Sequence, residues 1–276
     1  MSNLSHITDS LNEAQRQAVT APLHSVLVLA GAGSGKTRVL VHRIAYLMEA
    51  HRVTPHEILA VTFTNKAANE MRSRIEKLRD VPIQAMWVGT FHGLSHRLLR
   101  MHFAEANLPQ TFQIIDSDDQ LRIIKRIHRD MNLDEKFWQP KQSQWFINHH
   151  KENANRVSHV VVEARDHKAK TWLQVYQEYE AVCHRAGLVD FTELLLRSYE
   201  LLQKNENVRS HYQQRFSHIL VDEFQDTNTI QYRWLHALTG HQTCLMAVGD
   251  DDQSIYSWRG AQVENIRHFT NDFKHA

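Results

Sequence analysis

Disulfide chemistry has little to work with here. Cys183 and Cys244 are the two cysteines, too few and too far apart for a bridged framework or a thiolate metal site, and that usage fits a reducing compartment. Glycine and proline are scarce, nine and five in 276 residues, and no repeat or low-complexity tract is visible, so disorder is expected only in short loops. No apolar run approaches the ~20 residues a membrane span needs, and no charged-then-apolar-then-small signal pattern opens the chain. A cytoplasmic protein without a membrane partner is the expectation. Excess charge is missing too: 32 basic and 31 acidic residues leave +1, so any nucleic-acid surface must be local. The 20 histidines are scattered, and His149 and His150 are adjacent rather than spaced to face one point, so a metal site built on them is not expected.

What is present is sharper. Val26-Leu27-Val28-Leu29 is a buried-strand pattern followed directly by Ala30-Gly31-Ala32-Gly33-Ser34-Gly35-Lys36-Thr37. Glycines let a backbone turn tightly with several N–H groups pointing inward, and the helix that follows turns its positive dipole end to the same spot. Such a loop cradles phosphate. Lys36 reaches the β and γ phosphates of ATP, and the Thr37 hydroxyl sits on Mg²⁺. Ala30 stands where the generic pattern has glycine. The apolar spacing Val39, Leu40, Val41, Ile44, Ala45, Leu47, Met48 supplies the required helix from Thr37 to about Glu49, and a mere Gly/Ser turn would not need Lys-Thr after its last glycine.

Further strand patterns recur at Ile58–Phe63, Ala85–Val88, Ile219–Val221 and Cys244–Val248 with helices between them, the signature of a parallel sheet covered on both faces. From Phe91 to Arg215 the periodicity is helical: Leu121, Ile124, Ile127, Met131, then Trp172, Val175, Tyr176, Tyr179, then Phe191, Leu194, Leu195, Tyr199, Leu202. Asp190 with Glu193 reads as a helix-start capping pair. The expected architecture is an α/β domain over 1–90 and 216–276 with an all-helical domain, 91–215, inserted after the third strand.

Ile219-Leu220-Val221 ends in Asp222-Glu223, at the sheet edge that faces a ligand. Asp222 is the candidate Mg²⁺ holder, and Glu223 the candidate base for the attacking water. After the last strand comes Gly249-Asp250-Asp251-Asp252-Gln253-Ser254-Ile255-Tyr256-Ser257-Trp258-Arg259-Gly260. Gln253 is suited to contact a γ phosphate or to orient a water, while Tyr256 and Trp258 offer flat faces on which bases stack.

These segments, taken with Gln15 in Leu11-Asn12-Glu13-Ala14-Gln15, Val61-Thr62-Phe63-Thr64-Asn65-Lys66-Ala67-Ala68, Gly89-Thr90-Phe91-His92-Gly93, Gly187-Leu188-Val189-Asp190-Phe191 and Asp222-Glu223-Phe224-Gln225-Asp226-Thr227-Asn228, closely resemble the UvrD/Rep/PcrA-type DNA helicases of superfamily 1. They occur in the family's order across nearly the whole chain. The resemblance implies a RecA-like P-loop NTPase domain and ATP-dependent 3′→5′ unwinding of DNA, in repair or replication, in the bacterial cytosol. It implies that Gln15 reads adenine, that Arg38 lies near the base or ribose, and that Gln253 senses the γ phosphate. For single-stranded DNA and its junctions with duplex it implies contacts from Phe63, Thr64, Thr90, Phe91, His92, Tyr256, Trp258 and Arg259. Repair or replication proteins are further expected partners. The family pattern continues past the position of Ala276 into a second motor domain with arginines that grip the γ phosphate, so this stretch alone is expected to hold nucleotide, to hydrolyse it very slowly and not to translocate. A helicase–nuclease subunit shares these motifs, and a non-catalytic DNA- or partner-binding remnant remains open. A kinase or transporter ATPase would not need the Phe63–Ala68 and Tyr256–Arg259 segments.

Overall fold

The computed structural model describes residues 4–79, 83–163, 165–250 and 264–273. Among them, seven strands run as β1 Val26–Leu29, β2 Ile58–Thr62, β3 Trp87–Thr90, β4 Gln113–Ile115, β5 Leu188–Asp190, β6 His218–Val221 and β7 Cys244–Gly249. The helices are α1 Ser5–Thr8, α2 Glu13–Val19, α3 Lys36–Ala50, α4 Asn65–Arg79, α5 Phe91–Met101, α6 Ser117–Asp130, α7 Pro140–Glu152, α8 His167–Ala186, α9 Phe191–Lys204, α10 Glu206–Arg215, α11 Thr229–Leu238 and α12 Glu264–Asp272. No helix among the described residues is long and apolar enough to cross a membrane.

The chain divides into two compact units, 1–94 with 202–276, and 95–201. In the first, five parallel strands lie in the order β1-β7-β6-β2-β3. β2 and β6 are buried at every residue, as the continuous apolar runs of a sheet covered on both faces require. Val39, Leu40, Val41, Ile44 and Met48 of α3 pack with Met71 and Ile75 of α4 in one core with the strands. Because the strands are parallel, the residues after β1, β6 and β7 and the ends of β2 and β3 all reach one edge of the sheet. Backbone bonds tie that edge together: Ala30 N–H donates to Gly249 O at 3.0 Å, and Asp222 N–H to Val61 O at 2.9 Å.

The helical unit has its own core from α6, α7 and α8, with Ile124, Ile127, Phe146, Ile147, Val175, Tyr176 and Tyr179 buried. Two three-residue strands, β4 and β5, pair in parallel within it. The unit closes at 201, whereas the sequence pattern carried the insert to 215. The difference is α10: its Tyr212 is fully buried with its ring 5.4 Å from that of Trp87 in β3, so this helix packs with the sheet. Asp190 does cap α9, accepting the Glu193 N–H at 2.7 Å. The Glu193 carboxylate instead meets Arg156, Arg197 and Lys151.

Candidate nucleotide site

The phosphate loop is shaped by two left-handed glycines, Gly33 at φ 74° and Gly35 at φ 86°, conformations that side chains with a Cβ rarely adopt. Gly35 has a second constraint, because a Cβ there would lie 2.9 Å from Gln15 Nε2. Gln15 closes a capping box with Asn12 at the start of α2, and its Nε2 donates to Ser34 O at 2.9 Å. One amide N–H and one lone pair of Gln15 stay available for a base edge. Arg38, one residue beyond Thr37, donates to Ser10 O at 2.8 Å and ties α3 to the segment before α2.

Lys36 is buried, and its Nζ donates to Ala30 O at 2.9 Å and Gly31 O at 3.3 Å, with Asp250 Oδ2 at 3.5 Å. The Thr37 hydroxyl donates to Asp222 Oδ2 at 2.8 Å. Loop and acidic strand end, far apart in sequence, therefore meet side chain to side chain. Glu223 follows in a left-handed conformation, φ 50°, uncommon for a residue with a Cβ and the kind of backbone strain that clusters at functional sites. Its carboxylate accepts Gln225 Nε2 at 2.8 Å. Burial and, to a smaller extent, the Glu223 charge push the Asp222 carboxyl up to about 6, against the bond from Thr37 that favours its charge. Asp226 is likewise raised to about 6, first by burial and then by Glu223. The Thr37 hydroxyl and the Asp222 carboxylate form an oxygen donor pair of the type that holds a hard cation.

The family description UvrD/REP helicase N-terminal domain matches residues 11–274. The chain belongs to this helicase family. It is 59% identical to DNA helicase II of Escherichia coli (strain K12) over 271 residues, 98% of this chain and 38% of that protein. It is 54% identical to DNA helicase II of Haemophilus influenzae over 278 residues, 99% of this chain and 38% of that protein. It is 38% identical to the ATP-dependent DNA helicase PcrA of Staphylococcus aureus (strain Mu50) over 270 residues, 98% of this chain and 37% of that protein. The chain thus spans about two fifths of the length of the curated relatives it matches.

Of the helicase motif residues expected on DNA, Phe63 and Thr64 follow β2, Thr90 ends β3, and Phe91 and His92 open α5. Thr64 is exposed, and its Oγ1 accepts Ala67 N–H at 3.1 Å; Thr90 Oγ1 accepts Gly93 N–H at 3.1 Å. Each thereby caps the helix that starts beside it, so α4 and α5 begin side by side at the sheet edge. Phe91 departs from expectation. It is 1% exposed, its ring packed edge-on against Phe63 at 5.4 Å and Trp234 at 6.1 Å, because the first residue of α5 points into the core. It backs the half-buried Phe63 and offers no face of its own. His92 is half-buried, and burial lowers its ring pKa. Gln253, Tyr256, Trp258 and Arg259 lie outside the described residues.

Gln225 and Asp250 were not among the residues expected in the candidate nucleotide site. Gln225 sits inside the Asp222–Asn228 motif, but its side-chain partners are set by geometry that spacing does not carry.

The raised Asp222 pKa has a consequence for stability. The unfolded carboxyl ionises near its ordinary 3.8 and the folded one near 6, so the folded state loses stability as pH rises through that window. At pH 7 the ionised group costs roughly 2–3 kcal/mol. Asp222→Asn is therefore expected to raise the amide-exchange protection of the sheet unit above wild type at pH 7.5 without divalent ions, with the difference shrinking towards pH 4. An equal difference at both pH values would contradict this.

Proposed function

We propose that the chain is the N-terminal motor part of an ATP-dependent 3′→5′ DNA helicase, binding Mg-ATP at the loop after β1 and single-stranded DNA along the adjacent edge of the sheet. The observation that carries this reading is the convergence of Lys36, Thr37, Asp222 and Glu223 at one point of that edge. Lys36 exchanges its carbonyl partners for the β and γ phosphates, a stronger charge-assisted contact. Backbone N–H groups of the loop line the phosphates, although the Ser34 N–H already donates to Gly31 O at 3.3 Å, and the N-terminus of α3 adds its dipole. Gln15 offers its remaining donor and acceptor to adenine, with Arg38 beside it.

Thr37 and Asp222 would hold Mg²⁺, which supplies charge neutralisation on the β and γ oxygens. Glu223 accepts the proton of the attacking water, aimed by its left-handed backbone and the bond from Gln225. Arginine stabilisation of the transferring group is worth roughly 10³–10⁵ in rate in related NTPases. Lys36 is the described cation that the proposed site turns to the phosphates.

For DNA, the capped starts of α4 and α5 offer backbone N–H groups to phosphates, and Phe63 offers a ring to a base. Binding is proposed to be indifferent to sequence and sensitive to salt. Fluorescence anisotropy with labelled oligo-dT tests this part. Phe63→Ala is expected to weaken affinity by the equivalent of ~1–3 kcal/mol while leaving the slope against salt concentration unchanged, since stacking and not phosphate contact is removed. Unchanged affinity in Phe63→Ala, or binding that ignores salt, would sink it.

A further inference from the structure

We infer that Gln225 is the residue that positions Glu223 and ties it to the strand end that holds Lys36. This inference rests on the ATPase reading above. Gln225 is 3% exposed and lies in the short 3-10 turn Phe224–Asp226 that follows Glu223. Its Nε2 donates to Glu223 Oε2 at 2.8 Å, and its Oε1 accepts the Asp250 N–H at 3.0 Å. The orientation of the amide is forced. A backbone N–H can only donate, so the group facing Asp250 must be the oxygen, which leaves the NH₂ to donate to the Glu223 carboxylate.

The neighbours are fitted to this strut. Gly249 is close-packed on it: a Cβ there would lie 2.9 Å from Gln225 Oε1 and 3.4 Å from its backbone N. The Gly249 carbonyl accepts Ala30 N–H at 3.0 Å, at the start of the phosphate loop, and the Asp250 carboxylate lies 3.5 Å from Lys36 Nζ. Asp250 is therefore held by Gln225 through its N–H while its carboxylate faces the phosphate-loop lysine. The circuit runs from Glu223 through Gln225 and Asp250 to Lys36. It fixes the distance between the group that activates water and the group that grips the phosphate being attacked, and small errors in that distance are costly to rate.

Glutamine alone among side chains of this length donates at one end and accepts at the other, so two near-isosteric variants separate its roles. Gln225→Glu keeps an acceptor for Asp250 and sets a like charge against Glu223. Gln225→Met keeps neither bond. Both variants, with wild type and Lys36→Ala, would be assayed as the full chain for single-turnover hydrolysis of Mg-ATP, for binding of a fluorescent ATP analogue, and for the ¹⁵N–¹H shift and exchange rate of the Asp250 amide. The expected result is hydrolysis lowered roughly 10–100-fold in both Gln225 variants, the scale for losing a partner that orients a reacting group, with nucleotide affinity retained. The Asp250 amide should be wild-type-like in Gln225→Glu and exchange faster in Gln225→Met. A merely structural glutamine would not dissociate the two readouts in this way.

Hydrolysis abolished by Lys36→Ala but retained in both Gln225 variants would overturn the role of Gln225 alone. Equal affinity of wild type and Lys36→Ala for the fluorescent ATP analogue, with equal hydrolysis, would overturn the ATPase reading, and the positioning role with it. An Asp250 amide unaltered in Gln225→Met would overturn the strut whatever the hydrolysis data show.

Discussion

Lys151→Met is expected to destabilise the helical unit by roughly 3–5 kcal/mol, the cost of breaking a buried ion pair by removing one partner. Lys151 is 2% exposed, with Nζ 2.7 Å from Asp190 Oδ2 and 3.1 Å from Glu193 Oε2. Burial alone would push the ammonium pKa down; the charges of Asp190 and Glu193 outweigh it, and the net shift is upward. Glu193 is held well below the usual carboxylate range, the cations Arg156, Lys151 and Arg197 overcoming its burial. Arg156 also meets Glu180 and Glu200. Asp190 further accepts from Tyr179 at 2.7 Å and Thr192 at 2.8 Å. Methionine fills the space but leaves two buried carboxylates short of a cation. Because the chain has two units, the readout is amide exchange in α7, α8 and α9, not one global transition. Protection there should collapse while the sheet keeps its own; a change under about 1 kcal/mol would mean the network is nearly neutral to stability. Glu193 adds a sign to the pH dependence: its contribution is present above the ordinary carboxylate range and is lost as pH falls towards its depressed folded value.

This network shows where sequence reading stopped. Nothing in the spacing of Lys151 and Arg156 reveals that β5 and α9 bring carboxylates to them. Asp190 was legible as a cap but not as the hub that five donors share. The strands β4 and β5 are three residues each, too short for a period to register. By contrast β1 matches the apolar run Val26–Leu29, and α3 differs from its sequence pattern by one residue at each end. There, local pattern and tertiary demand agree. β3 lies two residues beyond its apolar run because pairing with β2 sets it, aligning Gly89 with Val61 and Thr90 with Thr62, neither of which a hydrophobic pattern selects.

The aromatic residues divide in the same way. Phe91 was expected on the DNA track and is core, whereas Phe191, read as part of an apolar helical face, is 51% exposed at the start of α9. An aromatic residue at a helix start carries no mark of which way it points, and only packing decides. In the candidate nucleotide site, the pattern of a strand followed by a Gly-rich turn and of a strand followed by two acids marked Lys36, Thr37, Asp222 and Glu223, and the fold brings Thr37 and Asp222 side chain to side chain. Gln225 and Asp250 were not so marked, because their roles lie in side-chain and backbone bonds across the sheet edge.

Lys36→Ala carries the other large expected effect. In the folded chain the ammonium is buried and bonded to two loop carbonyls, already placed where the β and γ phosphates would lie. On the proposed reading, removing it leaves the phosphates without a charge partner in the loop. Truncating one side of such a charge-assisted buried contact costs roughly 2–5 kcal/mol, about 30-fold to several thousand-fold in affinity. The fold should persist, since Lys36 heads α3 and alanine is a good helix former at that place. The most direct measurement is calorimetric titration of Mg-ATP into wild type and Lys36→Ala under identical salt and pH. The account predicts saturable binding to wild type and a loss of that size in the variant. Equal affinity in the two, or none in either, would contradict the claim that the loop after β1 holds the triphosphate.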